Sequence, residues 1–287
     1  MTSTAIDREN ALLPPGAEPP RALRLGGTLL LFLAALVILF PLLWIAFAAF
    51  RSTGDLTNPG SFTIHPTLES FPAIANAGVP GAAFRSTVLG LVVAAVAIFT
   101  GSLAAYSIAR FRTGGPYFQI GILLPTVIPP TVLAFPLLTL AIGIDLNGTL
   151  IAVVAAHLTY VVPLVTWFLI GFFRAVPIEL EEQAAIDGFG PIATFVYVVL
   201  PNVLPGVGAA ALLGFMLSWN EFFYALILAP GDAHTLPVAI AGFNTFQGVK
   251  LGPLAATVLV SVIPVILLSL LVQRYLVRGM SGSGVKQ

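Results

Sequence analysis

Apolar residues run along this chain in long unbroken stretches, separated by short polar or Pro/Gly-rich segments. A bilayer core about 30 Å thick needs about 20 apolar residues at ~1.5 Å per helical residue. Six stretches qualify: about Leu25 to Phe50, Ser86 to Ala109, Phe118 to Ile142, Thr149 to Phe173, Asn202 to Leu228 and Pro253 to Tyr275. Lipid leaves only helices or closed barrels as spanning structures, and the two-residue alternation of barrel strands is missing. The pattern predicts an all-α integral membrane protein with six transmembrane helices.

Composition agrees. The 287 residues are 58% hydrophobic and 8% charged, against about 25% charged in soluble domains. Zero net charge gives no sign of a nucleic-acid partner. The absence of cysteine excludes disulfides and thiolate metal sites, and His65, His157 and His234 lack metal-ligand spacing. The first apolar run is too long for a signal-peptide core and lacks a cleavage site, so it reads as a retained span.

Basic residues orient the spans. With the N-terminus inside, Arg8, Arg21, Arg24, Arg110, Arg112, Arg174, Arg274, Arg278 and Lys286 are cytoplasmic, and only Arg51, Arg85 and Lys250 lie outside. The positive-inside rule then places both termini in the cytoplasm. Residues 1–24, with Pro14, Pro15, Pro19 and Pro20, read as a tail, residues 25–276 as the membrane domain and residues 277–287 as a second tail.

The inner segment 174–201 reads as helix, turn, helix. Pro177 suits a first helical turn, and Glu179, Glu181 and Glu182 complement a helix N-terminus. Leu180, Ala184 and Gly188 fall on one stripe, where two small residues let another backbone approach. Gly188 and Gly190 break the helix, Pro191 starts a second one, and Leu200-Pro201 is expected to end it at the membrane. Such a segment also suits an ordinary solvated connection with acidic caps.

The run Glu182-Gln183-Ala184-Ala185-Ile186-Asp187-Gly188, with Val198 and Leu200-Pro201 downstream, resembles the EAA signature of ABC importer permeases. Gln183 departs from it, standing where the first alanine is usual. The resemblance implies a type I ABC importer permease whose coupling helix sits in a cleft of an ATP-binding subunit. Glu182, Ala184 and Gly188 would face that cleft, with Asp187 and Leu180 beside them.

Further segments sharpen the family. "PIELEEQAAIDG" over 177–188, "GSLAAYSIARFR" over 101–112 and "HPTLESFP" over 65–72 resemble the shorter, six-span permease of maltose-type sugar importers. So do Trp219-Asn220-Glu221-Phe222, Thr235-Leu236-Pro237-Val238 and the ending Gln273-Arg274-Tyr275, Gly279, Gly284-Val285-Lys286. That family usually ends Lys-Gly, whereas this chain ends Lys286-Gln287. The resemblance implies a bacterial or archaeal inner-membrane subunit. Its partners would be a second permease, two ATP-binding subunits and an extracytoplasmic solute-binding protein docking on segments 51–85 and 229–252. It implies import of a sugar, or by the same architecture a polyol or glycerol phosphate.

The only lysines, Lys250 and Lys286, lack the context of a phosphate-binding loop. No Ser-His-Asp set or paired carboxylates stand out. The chain reads as a non-enzyme without its own cofactor, with ATP and magnesium in the partner subunits.

Glu221 is the one acid placed inside a span, where an ionisable group marks function or pairing. With Trp219 and Asn220 it suits a sugar: polar groups for hydroxyls and a ring for C–H faces. It equally suits a helix–helix hydrogen bond or a gate contact. Pro125, Pro129, Pro130 and Pro136 break the third span, and broken helices often line transport pathways, which brings in Thr126 and Thr131. A secondary transporter would call for coupling charges in several spans and more helices.

Overall fold

The computed structural model describes residues 21–57, 66–246 and 248–281. His65, most of the tail read over 1–24, and residues 282–287 of the tail read over 277–287 lie outside the described residues. The described chain is almost entirely helical. Helix α1 (Arg21–Ala49) leads through the short α2 (Thr53–Thr57) and α3 (Ser70–Asn76) to α4 (Val79–Phe111). Then come α5 (Gly115–Gly121), α6 (Leu124–Val127), α7 (Pro130–Gly143) and α8 (Leu150–Ala175). Helix α9 (Ile178–Ile186) and α10 (Pro191–Thr194) form the loop over 174–201. A π-helical turn, Phe195–Val199, carries the chain into α11 (Leu200–Trp219). Helices α12 (Phe223–Leu228) and α13 (Leu236–Ala241) and a two-residue hairpin precede α14 (Leu251–Ser281).

Among the described residues, five segments are long and apolar enough to cross a membrane: in α1, α4, α8, the run Pro191–Trp219 and α14. The expected third span is instead the pair Gly115–Val127 and Pro130–Gly143, bent by 83°, which makes six if counted as one span. The cause is local. A residue before proline is driven out of the helical region. Ile128 and Pro129, each followed by proline, have ψ of 123° and 139°.

Two further boundaries differ from expectation. Leu200-Pro201 does not end a helix; α10, the π turn and α11 run on together. The Leu200 N–H donates to the Phe195 carbonyl, five residues back, so the wider turn absorbs the donor that Pro201 lacks. The fifth span, expected to continue to Leu228, breaks at Asn220–Phe222 before α12.

Helices α4 and α8 pack along the longest shared face, and α11 closes on both. Buried Val93, Ala97, Val161, Val165 and Leu169 belong to this first core, with Tyr224 and Leu228 of α12 at one end. A second core gathers the end of α1, α3, α13 and α14 around Phe215 and Trp219. Small residues make the close contacts possible. A Cβ on Gly90 of α4 would stand 2.9 Å from the Phe215 ring, so only glycine lets α11 approach there. Helix α1 lies against α14 but is covered thinly: its 25-residue apolar span, Leu25–Ala49, is 0% buried over its most apolar stretch. An all-round apolar helix left bare needs lipid or another protein as its solvent.

Contacts define two ends. At one, Arg110 near the end of α4 meets Glu181 of α9. At the other, Arg85 near the start of α4 donates to the His234 carbonyl at 3.0 Å, and Ser86 Oγ accepts from Leu236 N at 2.8 Å. The loop 174–201 and the segment 229–252 therefore sit at opposite ends of the bundle.

Candidate functional site

Two places carry polar chemistry on this apolar frame. The first is a cleft of about 500 Å³ between α6, α8 and the break after α11. Its lining includes Thr126, Pro130, Tyr160, Asn220, Glu221 and Tyr224. Tyr160 and Tyr224 stack with centroids 6.1 Å apart, and the Tyr160 hydroxyl donates to the Leu217 carbonyl at 3.2 Å.

Glu221 organises this region. Its Oε1 accepts the backbone N–H groups of Phe223 at 2.8 Å and Tyr224 at 2.9 Å, and Oε2 accepts that of Ala225 at 3.3 Å. These are otherwise orphaned donors at the start of α12. The carboxylate satisfies them where the fifth span breaks. Oε2 also lies 3.1 Å from Nε2 of His157, which is fully buried. A carboxylate only accepts, so Nε2 carries the proton. In the neutral ring Nδ1 then takes the hydroxyl hydrogen of Ser218, at 2.8 Å. Glu221 thus ties α8, α11 and α12 together, and one edge of it still meets the cleft.

The other expected pathway residues separate. Asn220 is exposed at the cleft wall, its Nδ2 donating to the Met216 carbonyl at 2.8 Å. Thr126 lines the cleft while its hydroxyl donates to the Leu123 carbonyl at 2.6 Å. Trp219 turns away: it is 5% exposed and stacks on Phe215 at 5.4 Å in the second core. Thr131 is exposed and is not part of the lining. Sequence reasoning missed Tyr160, Tyr224 and the buried His157. The only signal was the i, i+3 spacing of His157 and Tyr160 on one helical span.

The second place is the loop 174–201. Pro177 caps α9 rather than starting it, and Glu179 and Glu181 fill the first turn. The end is a Schellman motif: Phe189 N donates to the Ala184 carbonyl at 2.9 Å and Gly188 N to the Ala185 carbonyl at 3.1 Å. Gly188 supplies the left-handed backbone this requires, with φ +86°. The stripe expected to face a partner does not point outward throughout. Ala184 is buried and Leu180 packs on the first core, so these two seat α9 on its own chain. Glu182, Asp187 and Gly188 are exposed. Beyond them Ile186 is 86% exposed and Ile192 81%, with Phe189 also outward.

Five to six apolar spans around an open cleft with polar lining define a helical membrane transporter component. The chain belongs to the family of binding-protein-dependent transport system inner membrane components, whose model matches residues 97–282. It is 35% identical over 225 residues to the putative ABC transporter permease protein ORF1 of Streptomyces antibioticus, covering 77% of this chain and 98% of that one. It is 32% identical over 253 residues to the trehalose transport system permease protein SugB of Mycobacterium tuberculosis, covering 86% and 92%. Its fold matches a chain of a bacterial ABC transporter involved in the import of the acidic polysaccharide alginate, with TM-score 0.67. That match covers 90% of this chain and 99% of the other at 19% identity, so it bears on the fold alone. Membership of this family replaces the secondary-transporter alternative.

Proposed function

We propose that this chain is one of two permease subunits of a sugar importer and takes its power from separate ATP-binding subunits. The observation that carries the ATPase docking is the outward patch of Ile186, Phe189 and Ile192 beside Glu182 and Asp187. Large apolar side chains on a polar loop end call for a protein partner. The Schellman end at Gly188 holds them in one geometry. Leu180 and Ala184 act from beneath, seating the helix.

The cleft forms this subunit's share of the substrate path, with the bare face of α1 and the open side of the cleft turned to lipid and the second permease. Asn220 and the edge of Glu221 suit sugar hydroxyls, and the rings of Tyr160 and Tyr224 suit C–H faces. The lining has no lysine or arginine, which disfavours glycerol phosphate. The trehalose-system relative supports a carbohydrate substrate. The positive-inside bias places α9 and both termini in the cytoplasm of a bacterial or archaeal cell. Segments 51–85 and 229–252 then face the solute-binding protein.

The test is purification of the assembly through a tag on this chain, followed by ATPase measurement in proteoliposomes with candidate sugars and polyols. A sugar delivered by the binding protein should raise hydrolysis, whereas stimulation by a peptide alone would overturn the substrate class. In the same assay Ile186→Asp should strip the ATPase from the assembly. Continued co-purification would overturn the docking reading.

A further inference from the structure

We propose that Arg110 is a positioning residue that fastens the docking helix α9 to α4, so that the two move as one body when the ATPases close. This rests on the docking reading above. It concerns residues to which the sequence assigned no site role.

The geometry is a three-way joint. Arg110 Nε donates to Glu181 Oε1 on α9, and Arg110 Nη2 donates to the Val176 carbonyl at the end of α8 at 2.7 Å. Tyr106, one turn earlier on α4, donates its hydroxyl to Glu181 Oε2 at 2.7 Å. Both oxygens of one carboxylate are therefore held from the same helix. The side chains of Arg110 and Glu181 are only 10% and 12% exposed, so salt screens this pair far less than a surface pair. The Tyr106 ring packs against Phe111, Phe173 and Phe195, with centroids 6.0, 5.8 and 4.9 Å away, walling the joint with α8 and the π turn.

The joint matters because α9 has little else to hold it. Nine residues do not form a stable helix alone. Its inward apolar contacts are Leu180 and Ala184. Its covalent joins are an extended Val176, ψ 122°, on one side and glycines on the other. Neither join continues α9 as a helix into α8 or α10, so a push on it needs a side-chain joint to reach the bundle. The guanidinium directs it into α4, the long helix that packs most extensively on α8 and α11. The adjacent acids divide the work. Glu182 is exposed towards the partner, while Glu181, about 100° round the helix, is clamped beneath.

The chain contains no cysteine, so label pairs can be placed without background. Spin labels at Glu179→Cys and Arg112→Cys in the full assembly report α9 against α4. A second pair, Glu179→Cys with Leu204→Cys, reports α9 against α11. In the otherwise unsubstituted chain, ATP should leave the first distance unchanged and, because α4 packs closely on α11, the second as well. In the Arg110→Ala background, ATP should change and broaden the first distance. Sugar moved per ATP should then fall about tenfold, within the range of ordinary coupling free energies. Tyr106→Phe, which removes one hydrogen bond, should lower the same ratio by a smaller factor. A first distance that changes with ATP in the unsubstituted assembly overturns the inference. So does an assembled Arg110→Ala complex whose transport per ATP is unaltered. If Arg110→Ala does not assemble, the unsubstituted label distances and the Tyr106→Phe ratio decide. The docking reading stands or falls separately, on ATPase co-purification with Ile186→Asp.

Discussion

Glu221 has four contacts: three backbone N–H groups at the start of α12 and the buried His157. The sequence marked it as an acid in lipid and left two readings open, sugar contact or helix-to-helix bond. The structure places most of the carboxylate in the second role, with an edge on the cleft. Removing it strands His157 Nε2 and the α12 donors in a region with little water. Glu221→Ala should therefore cost roughly 3 kcal/mol of stability, read as a lowered thermal midpoint in detergent. Glu221→Gln keeps one acceptor for α12 and should lose less than half as much. Transport separates the roles. If the edge on the cleft binds sugar, Glu221→Gln should lower uptake in proteoliposomes while protein yield holds. Unchanged uptake would assign Glu221 to architecture alone. Trp219, its neighbour by two residues, was legible as a chemically apt group but not as a buried one. Helical rotation past the break decides which side each faces.

Among the elements, α9 was the easiest to find and the hardest to orient. Its proline, acids and glycines locate both ends, because caps are local chemistry. Which stripe faces inward is not local. The same i, i+4 row of Leu180 and Ala184 suits a partner's cleft or the chain's own core, and packing chooses the core. Gly188 stays outward and its role is conformational. Gly188→Leu places a branched side chain at φ +86°, which costs about 1–2 kcal/mol in the left-handed region. That change should fray α9 and lower transport more than ATP hydrolysis, measured side by side on the purified assembly. Equal losses, or none, would count against a rigid coupling end. The prolines of the third span announced a break. The 83° bend came from two consecutive residues each preceding a proline. Pro201 was read as a stop and is instead absorbed by a π turn, an accommodation with no sequence marker.

At the scale of the whole molecule, the two ends of the bundle are fixed by Arg110 with Glu181 and by Arg85 with the His234 carbonyl. The charge bias adds a direction to that axis. A single cysteine at Asp187 should react with a membrane-impermeant maleimide only from the cytoplasmic side, and one at Asn244 only from outside. Reversal of both would overturn the orientation, and labelling of either from both sides would undercut the span count.

The length and apolarity of each stretch dictate a helical membrane protein, since lipid enforces internal backbone pairing. Loop chemistry dictates where α9 begins and ends, and the motif order points to the importer family. These are properties of neighbouring residues. The pairings His157 with Glu221 and Arg110 with Glu181 join residues 64 and 71 positions apart. So does the outward choice of Ile186 over Ala184 depend on remote packing. Such pairings depend on how helices rotate and cross, and many sequences compatible with the same spans would pair differently. Only the packed bundle could bring those groups together.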